Sequence, residues 1–297
     1  MTANSPVYLI DGNSYIFRAF FALPPLSNAS GLPVHAVYGF TNMLLKFLKE
    51  YRPGFLAVVF DAGRKTFRHR LYQEYKGNRP EAPADLIPQF PYIRKAVEAM
   101  RVPMLELEDF EADDLIATLS RKPWAQGVEV IVVTGDKDLM QLVGPSVKIL
   151  DTMKGKWIGV EEVKEKFGVE PQSVAEVMGL MGDSVDNIPG VKGIGGKTAA
   201  LLIQRFQSLE NLFDHLEELE TTGIRGAARI AKILREGKEM AFLSRDLATV
   251  RTDVPIHVEL EELRRREPDH EKLRLLFSEL GFSRRFNGLE AGNGLDE

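Results

Sequence analysis

Nine carboxylates in five short clusters constrain this chain most, because each cluster stands where an apolar run ends or a helix is expected to begin. They are Asp11 in VYLIDGN, Asp61 in LAVVFDA, Glu111, Asp113 and Asp114 in FEADDLI, Asp136 and Asp138 in VIVVTGDKD, and Asp183 and Asp186 in MGDSVDN. Asp11, Asp61 and Asp136 each follow a β-prone run, which predicts a position at the carboxyl edge of a parallel sheet, where open α/β folds bind ligands. So many negative charges at one edge repel each other unless cations hold them. Ligation by oxygen alone suits Mg²⁺ or Mn²⁺, and a pair of such ions suits phosphodiester chemistry.

A chain of 297 residues is long enough for one large domain or two modest ones. With no cysteine there is no disulfide framework, thiolate zinc site or cysteine nucleophile. The histidines, His35, His69, His215, His257 and His270, are scattered, which argues against a histidine-based metal site or a Ser-His-Asp relay. MTANSPVYLIDGN lacks a basic segment followed by a long apolar one, and no apolar run reaches the ~18 residues of a membrane span, so a cytoplasmic location is expected. The formal net charge of −5 looks wrong for a nucleic-acid partner, but setting the nine clustered acids aside turns it to +4, with the bases bunched.

The first half alternates strand-like runs (7–10, 55–60, 102–105, 128–133 and 147–150) with helical patterns (37–50, 84–100 and 113–121). That alternation predicts βαβ units around a mostly parallel sheet. From about residue 161 short amphipathic helices separated by Gly and Pro take over. The expected organisation is an α/β core over 1–165, a helical region over 166–286, and a flexible tail or linker over 287–297, rich in Gly, Asn and acids.

Two segments point to nucleic acid. After Asp61, GRKTFRHRLYQEYKGNRPEAP carries Arg64, Lys65, Arg68, Arg70, Lys76 and Arg79 interleaved with Phe67, Tyr72 and Tyr75. Taken alone it reads as an ordinary solvated helix face. Placed after a candidate metal ligand it suits a single strand, whose phosphates need cations and whose bases stack on rings. The second segment, IPGVKGIGGKTAALL, ends like a phosphate-binding P-loop but has Val191 where that loop needs Gly, and it lacks a preceding strand. It reads better as a tight hairpin between helices over 173–181 and 197–206, offering backbone amides to a phosphate; a plain helix-turn-helix connection stays open.

The acids have plainer readings too. EADDLI suits a helix start and GDSVDN an Asx-rich turn, while Val185 rules out a calcium loop. Five separate coincidences at one sheet edge are a poorer account than one shared site. Spacing lets a turn aim Asp136 and Asp138 at one ion and predicts that Asp183 and Asp186 share a helix face.

In this order and spacing, VYLIDGNSYIFRAF, VVFDAGRKTFRHRLYQEYKGNRP, EADDLIATL, TGDKDLMQLV and LMGDSVDNIPGVKGIGGKTA resemble the 5′ nuclease domain of bacterial DNA polymerase I, within the flap endonuclease superfamily. The likeness runs from about Val7 to Phe286, and all nine acidic positions are filled. It implies a PIN-like α/β nuclease core, a mostly parallel central sheet flanked by helices, a helical arch over about 63–90, and a helix-hairpin-helix module in the C-terminal helical domain.

The resemblance also implies roles. Lys76, Arg79 and Arg18 would approach the scissile phosphate, and Tyr75 would help hold an unpaired nucleotide. Arg64, Lys65 and Arg68 would meet DNA from the arch, and Gly190, Lys192, Gly193, Gly195, Lys197 and Thr198 from the hairpin, which would also take K⁺. One Mg²⁺ would rest on Asp61, Glu111 and Asp113 with Asp11 nearby, the second on Asp113, Asp136, Asp138 and Asp186, with Asp114 and Asp183 in outer positions. The implied activity is a two-metal 5′-3′ exonuclease and flap endonuclease. Expected partners are 5′ flaps, duplexes with a 5′ single strand and RNA–DNA primers, with a polymerase domain in cis, in a nucleoid-associated monomer without a membrane. A non-catalytic DNA-binding module and a PIN-class single-strand ribonuclease are the competing readings.

Overall fold

The computed structural model describes residues 5–221 and 223–282; the expected 287–297 tail, and the end of the helical region expected to reach 286, lie outside the described residues. In chain order the α/β part comprises β1 (Val7–Asp11), α1 (Gly12–Ala22), α2 (His35–Tyr51), β2 (Phe55–Val59), α3 (Phe67–Leu71), α4 (Phe90–Ala99), β3 (Met104–Leu105), α5 (Ala112–Leu119), β4 (Val130–Val133), β5 (Val147–Asp151) and β6 (Lys156–Ile158). The remainder is helical: α6 (Val160–Phe167), α7 (Val174–Met181), α8 (Gly196–Phe206), α9 (Leu209–Asp214), α10 (Ala227–Ala248) and α11 (His270–Glu279).

These elements form two compact units. One takes residues up to 62, 81–135 and 252 onward, and the other takes 63–80 and 136–251. Remote parts of the chain rejoin each unit. In the first, Val254 N–H donates to Thr118 Oγ1 at 3.1 Å, Arg265 N–H to the Gly54 carbonyl at 2.9 Å and Asp269 N–H to the Ala99 carbonyl at 2.7 Å.

The sheet of the first unit follows from uninterrupted apolar runs. VYLID, FLAVV and VIVV are buried at every position, as strands covered on both faces must be. β1 pairs in parallel with β2, from Val7↔Phe55 to Asp11↔Val59, and with β4, from Val7↔Val130 to Ile10↔Val133. β3 joins β2 through Val58↔Met104, giving the order β3-β2-β1-β4 within this unit. The winding reverses between β1 and β4, so the crevice beyond their carboxyl ends is where such a sheet admits a ligand. Asp11 closes β1 at that crevice.

Helix α2 buries Ala36, Val37, Phe40, Leu44, Phe47 and Leu48, a stripe with helical spacing. Val34 precedes it and has no side chain able to cap it. The fully buried Gln89 substitutes, its Oε1 accepting from Ala36 N–H at 2.8 Å and Val37 N–H at 3.1 Å. The helix expected from residue 84 starts later. A 3₁₀ turn covers Ile87–Gln89, and α4 opens at Phe90 with Pro91 in its first turn, where the missing N–H costs nothing.

In the second unit β5 and β6 form an antiparallel hairpin with Leu150 opposite Trp157, and Gly155 takes φ +60° in its turn. Sequence periodicity did not predict β6, since three residues beside a Lys-Gly-Lys turn carry no alternation to read. The arch segment contains one short helix, α3, followed by turns rather than a continuous helix; Gly77 and Pro80 interrupt it. Helix α10 packs on α7, and Gly179 of α7 leaves no room for a Cβ between Arg245 and the Ala241 carbonyl. Among the described residues no helix is long and apolar enough to cross a membrane.

Candidate functional site

In the first unit, strand ends and helix starts fix the acids. Asp11 is buried and caps α1, accepting from Ser14 N–H at 2.9 Å through Oδ1, while Thr134 Oγ1 donates to its Oδ2 at 2.8 Å from the end of β4. Asp61, two residues beyond β2, accepts from Asn13 Nδ2 at 2.6 Å and from Ala112 N–H, at the start of α5, at 2.7 Å. Glu111 and Asp114 close a capping box on α5, with Glu111 N–H donating to Asp114 Oδ2 at 3.1 Å. Asp114 is fully buried in that role, and Asp113 stands beside it in the first turn. Arg18 of α1 lies against Gly135, where an added Cβ would overlap its guanidinium. Asn13, Thr134 and Gly135 were missed by sequence reasoning; their only signal is adjacency to Asp11 and Asp136.

The acids of the second unit share one electrostatic field. Asp138 N–H donates to Asp136 Oδ1 at 2.9 Å, so a turn links the two residues. Asp183 and Asp186 are not on a helix face. Helix α7 stops at Met181, and a tight turn carries both acids, with Asp183 and Ile188 exchanging backbone hydrogen bonds at 2.8 Å and Asn187 at φ +55°. Gly182 at φ +69° breaks the helix before it could reach them. The carboxyl of Asp138 is pushed up to about 8, first by burial, then by Asp136 and Asp186, with Lys137 opposing and Asp183 adding. Its Oδ1 is buried without a hydrogen-bond partner.

Cations stand among these acids. Lys137 pairs with Asp183; burial pulls its ammonium down, but the Asp183 hydrogen bond and the charges of Asp138, Asp183 and Asp136 outweigh it. Lys166 of α6 is pulled down by burial and by Lys137 and Lys154, with Asp136 and Asp138 acting the other way. Arg79 is ion-paired with Asp186, Lys76 Nζ is 3.6 Å from Asp186 Oδ2, and the Tyr75 hydroxyl donates to the same oxygen at 3.3 Å. Asn78 Nδ2 to the Ser184 carbonyl at 2.7 Å and Asn187 Nδ2 to the Glu74 carbonyl at 2.6 Å tie the same two loops.

Among the described residues no three of these acids and histidines converge tightly enough to cage an ion as they stand. The donor set nonetheless fits a hard divalent cation. It is all oxygen, and burial of the unpartnered Asp138 oxygen together with the charges of Asp136 and Asp186 raises the Asp138 carboxyl, a strain that a cation would relieve.

The basic segment divides in two. Arg64, Lys65, Arg70 and Arg79 are exposed. Arg68, expected to meet DNA, is buried instead, and its guanidinium donates to the Leu247 and Thr249 carbonyls, both at 2.9 Å. Those carbonyls end α10 and need donors, so Arg68 tethers α3 rather than facing a phosphate. Tyr75 is buried as well.

The glycine-rich stretch is a hairpin between α7 and α8. Gly190, at φ +61°, lies so close to Gly182 that neither tolerates a Cβ, and its N–H donates at 2.9 Å to Ser244 Oγ of α10, a fully buried partner that sequence gave no sign of. Val191 and Ile194 are buried beneath the turn, and Val191 N–H donates to the Leu180 carbonyl at 2.8 Å. Lys192, Gly193, Gly195, Gly196 and Lys197 form an exposed rim, with Gly193 at φ +95° and Thr198 half-buried behind it.

This pairing of a parallel sheet edged with acids and a glycine hairpin between helices defines an α/β nuclease-type protein. Its fold is shared by a bacteriophage T5 flap endonuclease in a pseudo-enzyme–product complex with DNA and metal ions, at TM-score 0.66 and 22% identity over 82% of this chain and 88% of that one. The chain belongs to the 5′-3′ exonuclease family: residues 6–168 match its N-terminal resolvase-like domain and 169–271 its C-terminal SAM fold. It is 44% identical to DNA polymerase I of Bacillus caldotenax over 97% of its own length and 33% of that protein's, and 40% identical to the 5′-3′ exonuclease of Aquifex aeolicus over 92% and 91%. The chain thus spans about a third of the length of the DNA polymerase I relatives it matches.

Proposed function

We propose that this chain is a divalent-metal-dependent, structure-specific 5′ nuclease that hydrolyses DNA phosphodiesters at 5′ flaps and 5′ ends, leaving a 5′-phosphate and a 3′-hydroxyl. The observation that carries this is Asp138, a half-buried residue whose carboxylate has one buried, unpartnered oxygen in the field of Asp136, Asp183 and Asp186. Asp61, Glu111 and Asp113 with Asp11 would hold one ion, and Asp136, Asp138 and Asp186 another. Asp114 and Asp183 would act indirectly, the first by capping α5 and the second through Lys137. Two Mg²⁺ or Mn²⁺, when bound, would make water available as a nucleophile near neutral pH and offset charge on the phosphate.

The side chains supply the rest. Lys76 and Arg79 pair with Asp186, and with a divalent cation held by that carboxylate they would be available to offset charge on the scissile phosphate. Arg18 is held beside Gly135 as a further phosphate donor. The exposed hairpin rim offers backbone amides and Lys197 to one strand of a duplex irrespective of sequence, and its carbonyls are suited to a K⁺ ion. Primer removal during replication and repair, with RNA–DNA primers among the substrates, is the process this activity serves. A polymerase domain in cis accords with the length of the relatives.

A 5′-labelled flap duplex, incubated with Mg²⁺ and mapped at single-nucleotide resolution, tests the reading. Cuts at or within a nucleotide or so of the flap junction, abolished by EDTA, are expected. Equal cutting of single-stranded RNA, or metal-independent cutting, would overturn it.

A further inference from the structure

The hairpin does not stand alone on its face of the second unit. Gly193 lies against Ile233 of α10, 3.5 Å from where a Cβ would sit to Ile233 Cδ1, and Gly237 one turn on abuts Val191 so closely that a Cβ would press into its side chain. The middle of α10 is therefore the floor of the hairpin. The helix starts at Ala227, and from Ile233 back to Gly226 it runs about 10 Å past that contact at 1.5 Å per residue.

This overhang is basic. From Gly223 to Arg235 the chain reads GIRGAARIAKILR, four bases without an acid. Arg225, Arg229 and Lys232 are exposed. Arg229 is one turn before Ile233 on the same side of the helix, and Lys232 neighbours Arg229 at i+3. Arg235 is turned elsewhere, its guanidinium 2.8 Å from Glu217 Oε1. Glu236 closes the basic stretch and Lys238 beyond it stands over the Phe213 ring, so the uninterrupted run of bases lies towards the N-terminal end of α10.

We infer that Arg225, Arg229 and Lys232 form a ledge continuous with the hairpin that takes the phosphates of about three further base pairs of the same duplex, at 3.4 Å of rise each. Exposed bases continuous with an amide-presenting turn suit a polyanion running across both, and duplex DNA supplies phosphates at that spacing. The inference rests on the reading that the hairpin grips duplex DNA.

Anisotropy titrations of a flap duplex in Ca²⁺ over a salt series test it, with Arg229→Ala/Lys232→Ala, the charge-retaining Arg229→Lys/Lys232→Arg, and Gly193→Val/Gly195→Val measured side by side. The alanine pair should lower the salt slope by about two and duplex affinity by about tenfold or more at moderate salt. It should leave single-strand affinity unchanged, and it should stop gaining affinity with duplex length about three base pairs before wild type does. The charge-retaining pair should behave as wild type. If the valine pair loses duplex binding and the alanine pair matches wild type, the ledge is overturned and the hairpin reading stands. If neither loses duplex binding, both fail. Circular dichroism confirms that each variant is folded.

Discussion

Lys76 meets Asp186 twice: its backbone N–H donates to the Asp186 carbonyl at 2.9 Å, and its ammonium stands 3.6 Å from Asp186 Oδ2. The first contact fixes one loop on the other. The second, together with the Arg79 ion pair, fills a carboxylate proposed as a metal ligand. A divalent ion held by Asp186 would have to compete with this lysine and arginine.

Lys76→Ala and Arg79→Ala should therefore lower single-turnover cleavage by at least about 10²-fold, with a smaller effect on DNA affinity. Without DNA, either variant should bind Mn²⁺ up to about fivefold more tightly, since a part-exposed ion pair no longer opposes the metal. Calorimetric Mn²⁺ titration and quenched-flow cleavage separate the two effects. A loss confined to DNA affinity, with Mn²⁺ binding weakened, contradicts the competition.

Asp138 makes the metal-free protein pH-sensitive. Its carboxyl is pushed from 3.8 up to about 8 in the folded state. Between those values the folded protein keeps a proton that the unfolded chain has released, so stability falls as pH rises through the window, by up to about 1.4 kcal/mol per unit. Asp138→Asn removes the titrating group. In EDTA the variant should melt several degrees above wild type at pH 7.5 and show a flatter profile from pH 5; Mg²⁺ should raise the wild-type midpoint more than the variant's. Superimposable profiles in EDTA contradict this.

Arg68 separates tethering from DNA contact. Arg68→Ala leaves the Leu247 and Thr249 carbonyls without these donors and should cost about 2–4 kcal/mol of stability. The salt slope of DNA binding should not change. Urea unfolding and a salt series suffice, and a slope shallower by about one with unchanged stability would restore Arg68 to the DNA-binding set.

These contrasts mark what the residues declared in advance. The ends of β1 and β2 were legible because VYLID and FLAVV are unbroken apolar runs closing on or just before an acid, and the hairpin because Gly and Pro punctuate it. Arg68 was not, since in a segment of alternating bases and aromatics nothing local tells a buried guanidinium from an exposed one; its acceptors lie about 180 residues away. Gln89, Asn13 and Ser244 escaped for the same reason, being polar residues whose partners are set by tertiary approach. Asp183 and Asp186 kept an i, i+3 spacing on which helix and turn agree, and only the left-handed Gly182 decides between them.

Gln89→Ala tests one such remote contact. It deprives the first turn of α2 of its acceptor and should lower stability by about 1–2 kcal/mol, read as a shifted urea midpoint with unchanged slope. An unmoved midpoint would mean that water caps the helix equally well.

The two-metal reading is tested most directly by Asp138→Asn and Asp113→Asn, with flap binding measured in Ca²⁺ and single-turnover cleavage in Mg²⁺. Removing a carboxylate disrupts an ion site while lessening repulsion of DNA phosphates, so binding should hold or tighten while cleavage is abolished. Cleavage within about tenfold of wild type in both variants would contradict the assignment of these acids as metal ligands.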